Sequence, residues 1–245
     1  ATKFYELMNN LTVLEFGLVP HPSFKIFGAS PDGICDIDSP EEYIGRMLEI
    51  KCPYRRKITG VPPFYYWIQM QLQLEVANLT KCDFLECEFV EIKNRESYDN
   101  VELHEGEEKG LFIEMRPLDL YNREKSEYFY PPAHMSYGDE LDAWCEKKLN
   151  VINKNNKGGY KIFPVYWKII TYSVIRVRRN KEWFNCVLPV LTDAWKQILY
   201  YRDNGCESDG PLGVLLFPKK QLNTIVFDDI DAGKHKINPY NDIDH

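Results

Sequence analysis

The chain has 245 residues, of which 44% are apolar and 14% aromatic, with 30 basic and 37 acidic residues giving a net charge of -7. So apolar a chain can offset the entropy of folding, which excludes a disordered tail protein, and its length suits one sizeable core. The acidic balance excludes attachment to nucleic acid by overall charge alone and leaves room for local basic patches.

Residues 4–16 read as the end of a helix running into a strand. Phe24 to Ala29 is short, apolar and aromatic, hence strand-like. Ser30-Pro31-Asp32-Gly33 has turn chemistry: Pro sets one angle and Gly supplies a permissive one. Ile34 to Ile37 resumes an extended segment, and Arg46 to Cys52 reads as a buried strand that Pro53 ends. A basic loop over 53–63 leads to Pro62-Pro63. The spacing of Ile68, Leu72, Val76 and Leu79 then predicts a helix with one apolar stripe over Phe64 to Leu79. Cys82 to Ile92 reads as a strand.

Residues 93–160 are hydrophilic and read as an insertion with a short helix around Tyr137 to Leu149, followed by a loop from Asn153 to Gly159. Val165 to Arg178 is aromatic and β-branched, the composition of one or two strands. Lys181 to Tyr201 reads as an amphipathic helix whose apolar side carries Trp183, Val187, Val190, Leu191, Trp195 and Leu199. Pro189 is expected to kink it or mark its start. From Asp228 to His245 the chain turns acidic and polar, as a tail or an extended arm. The whole reads as one α/β domain over 1–227 followed by that tail.

No run reaches the roughly 18 apolar residues of a membrane span, and the start has no secretory-signal pattern. The seven cysteines form no CxxC pair. They read as reduced, mostly buried thiols of an intracellular protein. The five histidines show no metal spacing, and there is no Walker-type loop or GxGxxG.

Three features carry chemistry: Asp32 in a turn, Glu49-Ile50-Lys51 on a strand, and a Gln-rich helix. Side chains alternate along a strand, so Glu49 and Lys51 share a face. If the segment after Asp32 pairs with Arg46 to Cys52 as a hairpin, Asp32 comes within reach of Glu49. Two adjacent carboxylates need a compensating cation. A hard ion such as Mg²⁺, with Mn²⁺ as substitute, suits Asp32, Glu49 and the Ile50 carbonyl. Lys51 is then placed to orient a water or balance phosphate charge. The alternative is a solvated Glu49–Lys51 pair on an exposed sheet face. Arg55, Arg56 and Lys57 form one basic group, and Arg176, Arg178, Arg179 and Lys181 a second. Either can contact phosphate or simply be solvated. Tyr65, Tyr66 and Trp67 can stack on bases or pack in the core.

Gly28-Ala29-Ser30-Pro31-Asp32-Gly33-Ile34, Leu48-Glu49-Ile50-Lys51-Cys52-Pro53 and Tyr65-Tyr66-Trp67-Ile68-Gln69-Met70-Gln71 together resemble the YqaJ-type viral recombinase family, which includes bacteriophage lambda exonuclease. That family lies in the PD-(D/E)XK nuclease superfamily. The match is strongest over 24–92, and its style is closest to members in large DNA viruses. The resemblance implies a restriction-endonuclease-like α/β fold, a mixed central sheet flanked by helices. It implies a Mg²⁺-dependent deoxyribonuclease that resects linear duplex DNA from a 5′ end in viral recombination or replication. Asp32 and Glu49 would hold metal with the Ile50 carbonyl, Lys51 would act on the attacking water, and Gln69 would orient water or substrate. Gln71 and Gln73 are either further site residues or ordinary helix surface. Arg55, Arg56, Lys57 and Arg178 are the expected DNA contacts. A homo-oligomer and a single-strand-annealing partner follow by analogy, as does action in the host cytoplasm or nucleus. A structure-specific endonuclease, a flap nuclease and a non-catalytic DNA-binding protein are the alternatives. The family's upstream helix, with an acidic residue near the metals, is expected to precede Ala1.

Overall fold

The structure is a computed structural model that describes residues 1–104, 107–119, 125–132, 135–156 and 158–204, together with the backbone of 230–231 and 235–236. In chain order the first half holds α1 (Thr2–Asn9), β1 (Val13–Leu14), β2 (Val19–Pro20), β3 (Gly28–Ala29), β4 (Gly33–Cys35), β5 (Met47–Lys51), α2 (Phe64–Val76) and β6 (Lys81–Ile92). The second half holds α3 (Arg95–Asp99), β7 (Lys109–Pro117), β8 (Glu127–Phe129), α4 (Asp139–Asn155), β9 (Tyr160–Arg178), α5 (Lys181–Asn204), β10 (Ile230–Asp231) and β11 (His235–Lys236).

One mixed sheet organises the chain, in the order β1-β4-β5-β6-β9-β7-β8, with β10 and β11 also on β9; β2 and β3 pair separately. Its only parallel contact among the described residues is β5 with β6, the pair that α2 connects. A crossover of that kind needs an intervening helix, which Phe64–Val76 supplies. The expected fold class, a mixed central sheet with helices on its faces, is what the chain adopts. β9 is 19 residues long. Its second half lies between β6 and the short β10 and β11, its first half pairs with β7, and β6 and β7 flank it together only over 166–168.

Three apolar clusters hold the layers. α2 and α5 cover one face through Trp67, Met70, Leu74, Trp183, Phe184 and Val187, packed on Met47, Phe84 and Val177. α1 covers part of the opposite face with Phe4 and Tyr5 against Leu48, Leu85 and Val174. α4 packs Leu141, Cys145 and Ile152 on Leu111 and Ile113 of β7. Of the six described cysteines, four are buried and none is bonded to another. No helix of the described residues is long and apolar enough to cross a membrane.

Several elements differ from the sequence reading. The fully buried line of α2 runs through Trp67, Met70 and Leu74, with Ile68 and Leu72 only partly buried. The helix lies between the sheet and α5, and the Trp67 and Trp183 rings meet at 5.1 Å, so its apolar sector is broader than one stripe. α5 starts at Lys181, capped by Asn180, whose Oδ1 accepts from the Trp183 N–H at 2.8 Å, and Pro189 lies inside it. Val190 and Leu199, assigned to its apolar side, are exposed. Residues 93–160 hold more than a short helix. β7 extends the central sheet, and α4 is 17 residues long, ending at Asn155 where a loop was expected. Of Phe24 to Ala29, only Gly28–Ala29 is strand. Gly33 is needed for close approach rather than for a turn angle, since a Cβ there would meet Val13 Cγ1 at 2.1 Å. The tail from Asp228 lies outside the described residues apart from the backbone of β10 and β11.

Candidate active site

β4 pairs antiparallel with β5, with Gly33 opposite Leu48 and Ile34 opposite Met47. The ladder ends there, one residue short of Asp32. Ile50 would otherwise lack a partner for its N–H on that side. The Asp32 carboxylate takes it: Oδ2 accepts from the Ile50 N–H at 2.7 Å. The expected hairpin therefore forms, and it seats the first acid on the strand that carries the second.

Glu49 points to the α2 side of the sheet and is 1% exposed. A buried carboxylate needs donors for both oxygens. α2 provides two from residues one turn apart, which share a helix face. Gln69 Nε2 donates to Oε1 at 2.7 Å and Gln73 Nε2 donates to Oε2 at 2.9 Å. Lys51, two residues on and on the same face, also donates to Oε1. Its side chain is 22% exposed, so the ammonium stands between the buried acid and solvent. The Tyr66 ring lies beneath it, with Nζ 4.8 Å from the centroid. The solvated-pair alternative does not describe Glu49.

Asp32 is exposed and, with Ile50, Ser30, Phe16 and Glu15, lines an open cleft of about 510 Å³. The oxygens of Asp32, Glu49 and the Ile50 main chain are donors of the type a hard divalent ion takes. Among the described residues no group of three or more His, Cys, Asp and Glu side chains is placed to hold a metal ion. Mg²⁺, which keeps several waters and binds through one or two carboxylates, fits this set. A cation taking Glu49 Oε1 would displace Lys51.

Neither further glutamine is ordinary helix surface. Gln73 is 5% exposed and bonded to Glu49, a placement that the sequence left open. The signal for its contact with Glu49 is the four-residue step from Gln69. Gln71 is 1% exposed and tied elsewhere. Its Nε2 donates to the Arg178 carbonyl at 2.8 Å and its Oε1 accepts from the Asn180 N–H at 2.6 Å, which clamps α2 to the β9–α5 junction.

The basic groups divide. Arg55 and Lys57 are exposed, whereas Arg56 is half-buried and paired with Glu86. In the second group Arg176 reaches Asp83 at 3.4 Å and Arg179 reaches Glu75 at 2.7 Å, so both serve the fold; Arg178 and Lys181 are exposed. Of the three aromatics, Trp67 is core, Tyr66 lies under Lys51 and Arg56, and Tyr65 is exposed. His21 is buried, its Nδ1 accepting from the Ser23 and Phe24 N–H groups.

Residues 1–80, which hold Asp32, Glu49, Lys51, Gln69 and Gln73, match the family model of the YqaJ-like viral recombinase domain. The resemblance read from the three motifs is borne out. An uncharacterised protein, R354 of Acanthamoeba polyphaga mimivirus, is 32% identical over 237 residues, which is 85% of this chain and 43% of that protein. The chain thus spans less than half the length of this large-virus relative. Similar solved structures are an alkaline exonuclease, LHK-Exo, from Laribacter hongkongensis, and LHK-Exo in complex with dAMP. Each is 24% identical and covers 62% of this chain and 60% of its own, with TM-scores of 0.30 and 0.29. The YqaJ-like match ends at Thr80, just before β6, so the matched segment contains the three side chains that donate to Glu49 among the described residues.

Proposed function

We propose that this chain is a metal-dependent deoxyribonuclease that digests linear duplex DNA from an end, 5′ to 3′, in recombination or replication of viral DNA. The observation that carries this reading is Glu49, buried, fixed by Gln69 and Gln73, and contacted by Lys51, on a strand whose Ile50 N–H is held by Asp32. The YqaJ-like match over the same residues supports it.

Asp32, Glu49 and the Ile50 carbonyl would hold Mg²⁺, which supplies Lewis-acid stabilisation of charge on the phosphate. In hydrolysis the water oxygen bonds to phosphorus, the bond to the 3′ oxygen breaks, and that oxygen takes a proton. Lys51 holds a proton at Nζ beside the reacting phosphate and orients the water. Gln69, with its Nε2 on Glu49 Oε1, is placed to align the same water. Gln73 keeps the Glu49 carboxylate from rotating. Arg55, Arg56, Lys57 and Arg178 contact phosphates flanking the site. A homo-oligomer, a single-strand-annealing partner, and a place of action in the host cytoplasm or nucleus belong to the same reading.

The test is digestion of linear, 5′-phosphorylated duplex DNA with Mg²⁺ or with EDTA, beside a covalently closed circle. Metal-dependent loss of the linear DNA alone, abolished by Lys51→Ala, is the expected result. Cutting of the circle would assign an endonuclease. A 3′-labelled substrate that loses its label first would reverse the polarity.

A further inference from the structure

Beside the Glu49–Lys51 pair lies a second buried acid that the proposed chemistry does not use. Glu86 of β6 stands opposite Lys51 in the parallel ladder and opposite Ser173 in the antiparallel one. The three side chains therefore form a row on the α2 face of the sheet. Glu86 is completely buried. Its Oε1 accepts from Arg56 Nη2, while among the described residues its Oε2 and the buried Ser173 Oγ have no hydrogen-bond partner. Arg56 is thus the compensating charge for this carboxylate. Burial pushes the Glu86 carboxyl up, and the Arg56 hydrogen bond and charge pull against that. Removing the arginine would strand a buried charge.

The same contact fixes Arg56. Its guanidinium lies against Tyr66, 5.5 Å from the ring centroid, on the ring that also carries Lys51 at 4.8 Å. Its side chain remains 30% exposed. A guanidinium has five N–H donors in a planar fork, so one edge on Glu86 leaves donors for a second anion. Arg55, its neighbour in sequence, is exposed.

We propose that Glu86 is a positioning residue, a buried carboxylate that holds Arg56 as a preset grip for the DNA phosphate next to the one Lys51 serves. The proposal rests on the nuclease reading for the placement of DNA. A preset arginine loses less freedom on binding than a free one, so its contribution appears in substrate affinity rather than in the chemical step.

The experiment uses the full chain with Arg56→Ala, Glu86→Gln and the double variant. The double variant removes the cation and the buried charge together, which preserves folding where Arg56→Ala alone fails to fold. Binding of a labelled duplex is measured over a range of salt concentrations with Lys51→Ala added throughout, and KM and kcat are measured with Mg²⁺ on the Lys51 form. The double variant is expected to melt near the parent temperature, to raise KM about tenfold with little change in kcat, and to lower the slope of log Kd against log salt by about one. Glu86→Gln alone keeps the arginine and its salt slope but raises KM by about threefold. An unchanged slope and KM in the folded double variant would make the pair a fold contact only and overturn the proposal. Failure of the parent chain to cleave, with a lowered slope in the double variant, would overturn the nuclease reading and leave the grip standing.

Discussion

Two buried carboxylates on opposite faces of the sheet are stabilised in different ways. Asp83 meets the Tyr5 hydroxyl at 2.8 Å, Arg46 at 3.1 Å and Arg176 at 3.4 Å. Tyr5 and Arg46 are themselves buried, and burial with the Asp83 charge pushes the Tyr5 hydroxyl well up. This knot is closed: two guanidinium groups cancel its charge and a phenol completes it. Glu49 is held by two neutral amides and one partly exposed ammonium. Amides fix a carboxylate in place without cancelling its charge, so the charge stays open to whatever cation replaces Lys51. Burial with fixed arginines makes a structural joint. Burial with glutamines and a lysine at the solvent boundary leaves a carboxylate whose charge is only partly compensated.

The sharpest way to break this comparison is to change one member of each cluster. Lys51→Ala is expected to lower metal-dependent cleavage by about 10³-fold with little change in melting temperature. Equal cleavage by the variant would remove Lys51 from the chemistry. Asp83→Ala should do the opposite, costing about 3–5 kcal/mol of stability by stranding Arg46. Chemical denaturation reads this, and the DNA affinity of the folded fraction stays constant. Gln73→Ala tests whether the amides act as a clamp. It leaves Glu49 Oε2 without its donor and should lower kcat about tenfold, with KM unmoved in steady-state assays.

The smallest effect concerns pH. The Glu86 carboxyl is held above 4.5 in the folded chain, mainly by burial. The folded state therefore keeps a proton that the unfolded chain has already lost. Stability from this group is lost as pH rises from about 4.5 through the raised value. Urea midpoints between about pH 4.5 and 7 should fall less for Glu86→Gln than for the parent chain.

The legibility of the fold and the site follows from the range of the forces involved. Asp32 and the Glu49-Ile50-Lys51 strand can be read from sequence because turn chemistry and two-residue alternation act over a few residues. Gln69 is legible only through the family motif. Gln73 is weaker still, because a glutamine at helical spacing reads equally as surface until the sheet brings Glu49 to it. β7 carries a real signal in the alternation of Leu111, Ile113 and Met115, but Glu114 between them and Arg116 after them read as solvated charge. The structure pairs those two with each other, at 2.6 Å and 2.7 Å, on the face away from α4. The partner of Arg56 is not legible at all, since 30 residues separate it from Glu86 and only the parallel ladder brings them together.

The length of β9 has a consequence for how the molecule assembles. The hairpin, α2 and β6 close short loops, so the side chains around Glu49 can gather from contacts within residues 32–92. β9 joins them from far along the chain, Arg178 beside Lys81 and Tyr166 beside Ile92. Pairings of such separation form late because the entropy of closing a long loop comes first. During synthesis the site's hairpin and helix therefore emerge well before the strand that completes their sheet, and the edge of β6 stays open until β9 arrives.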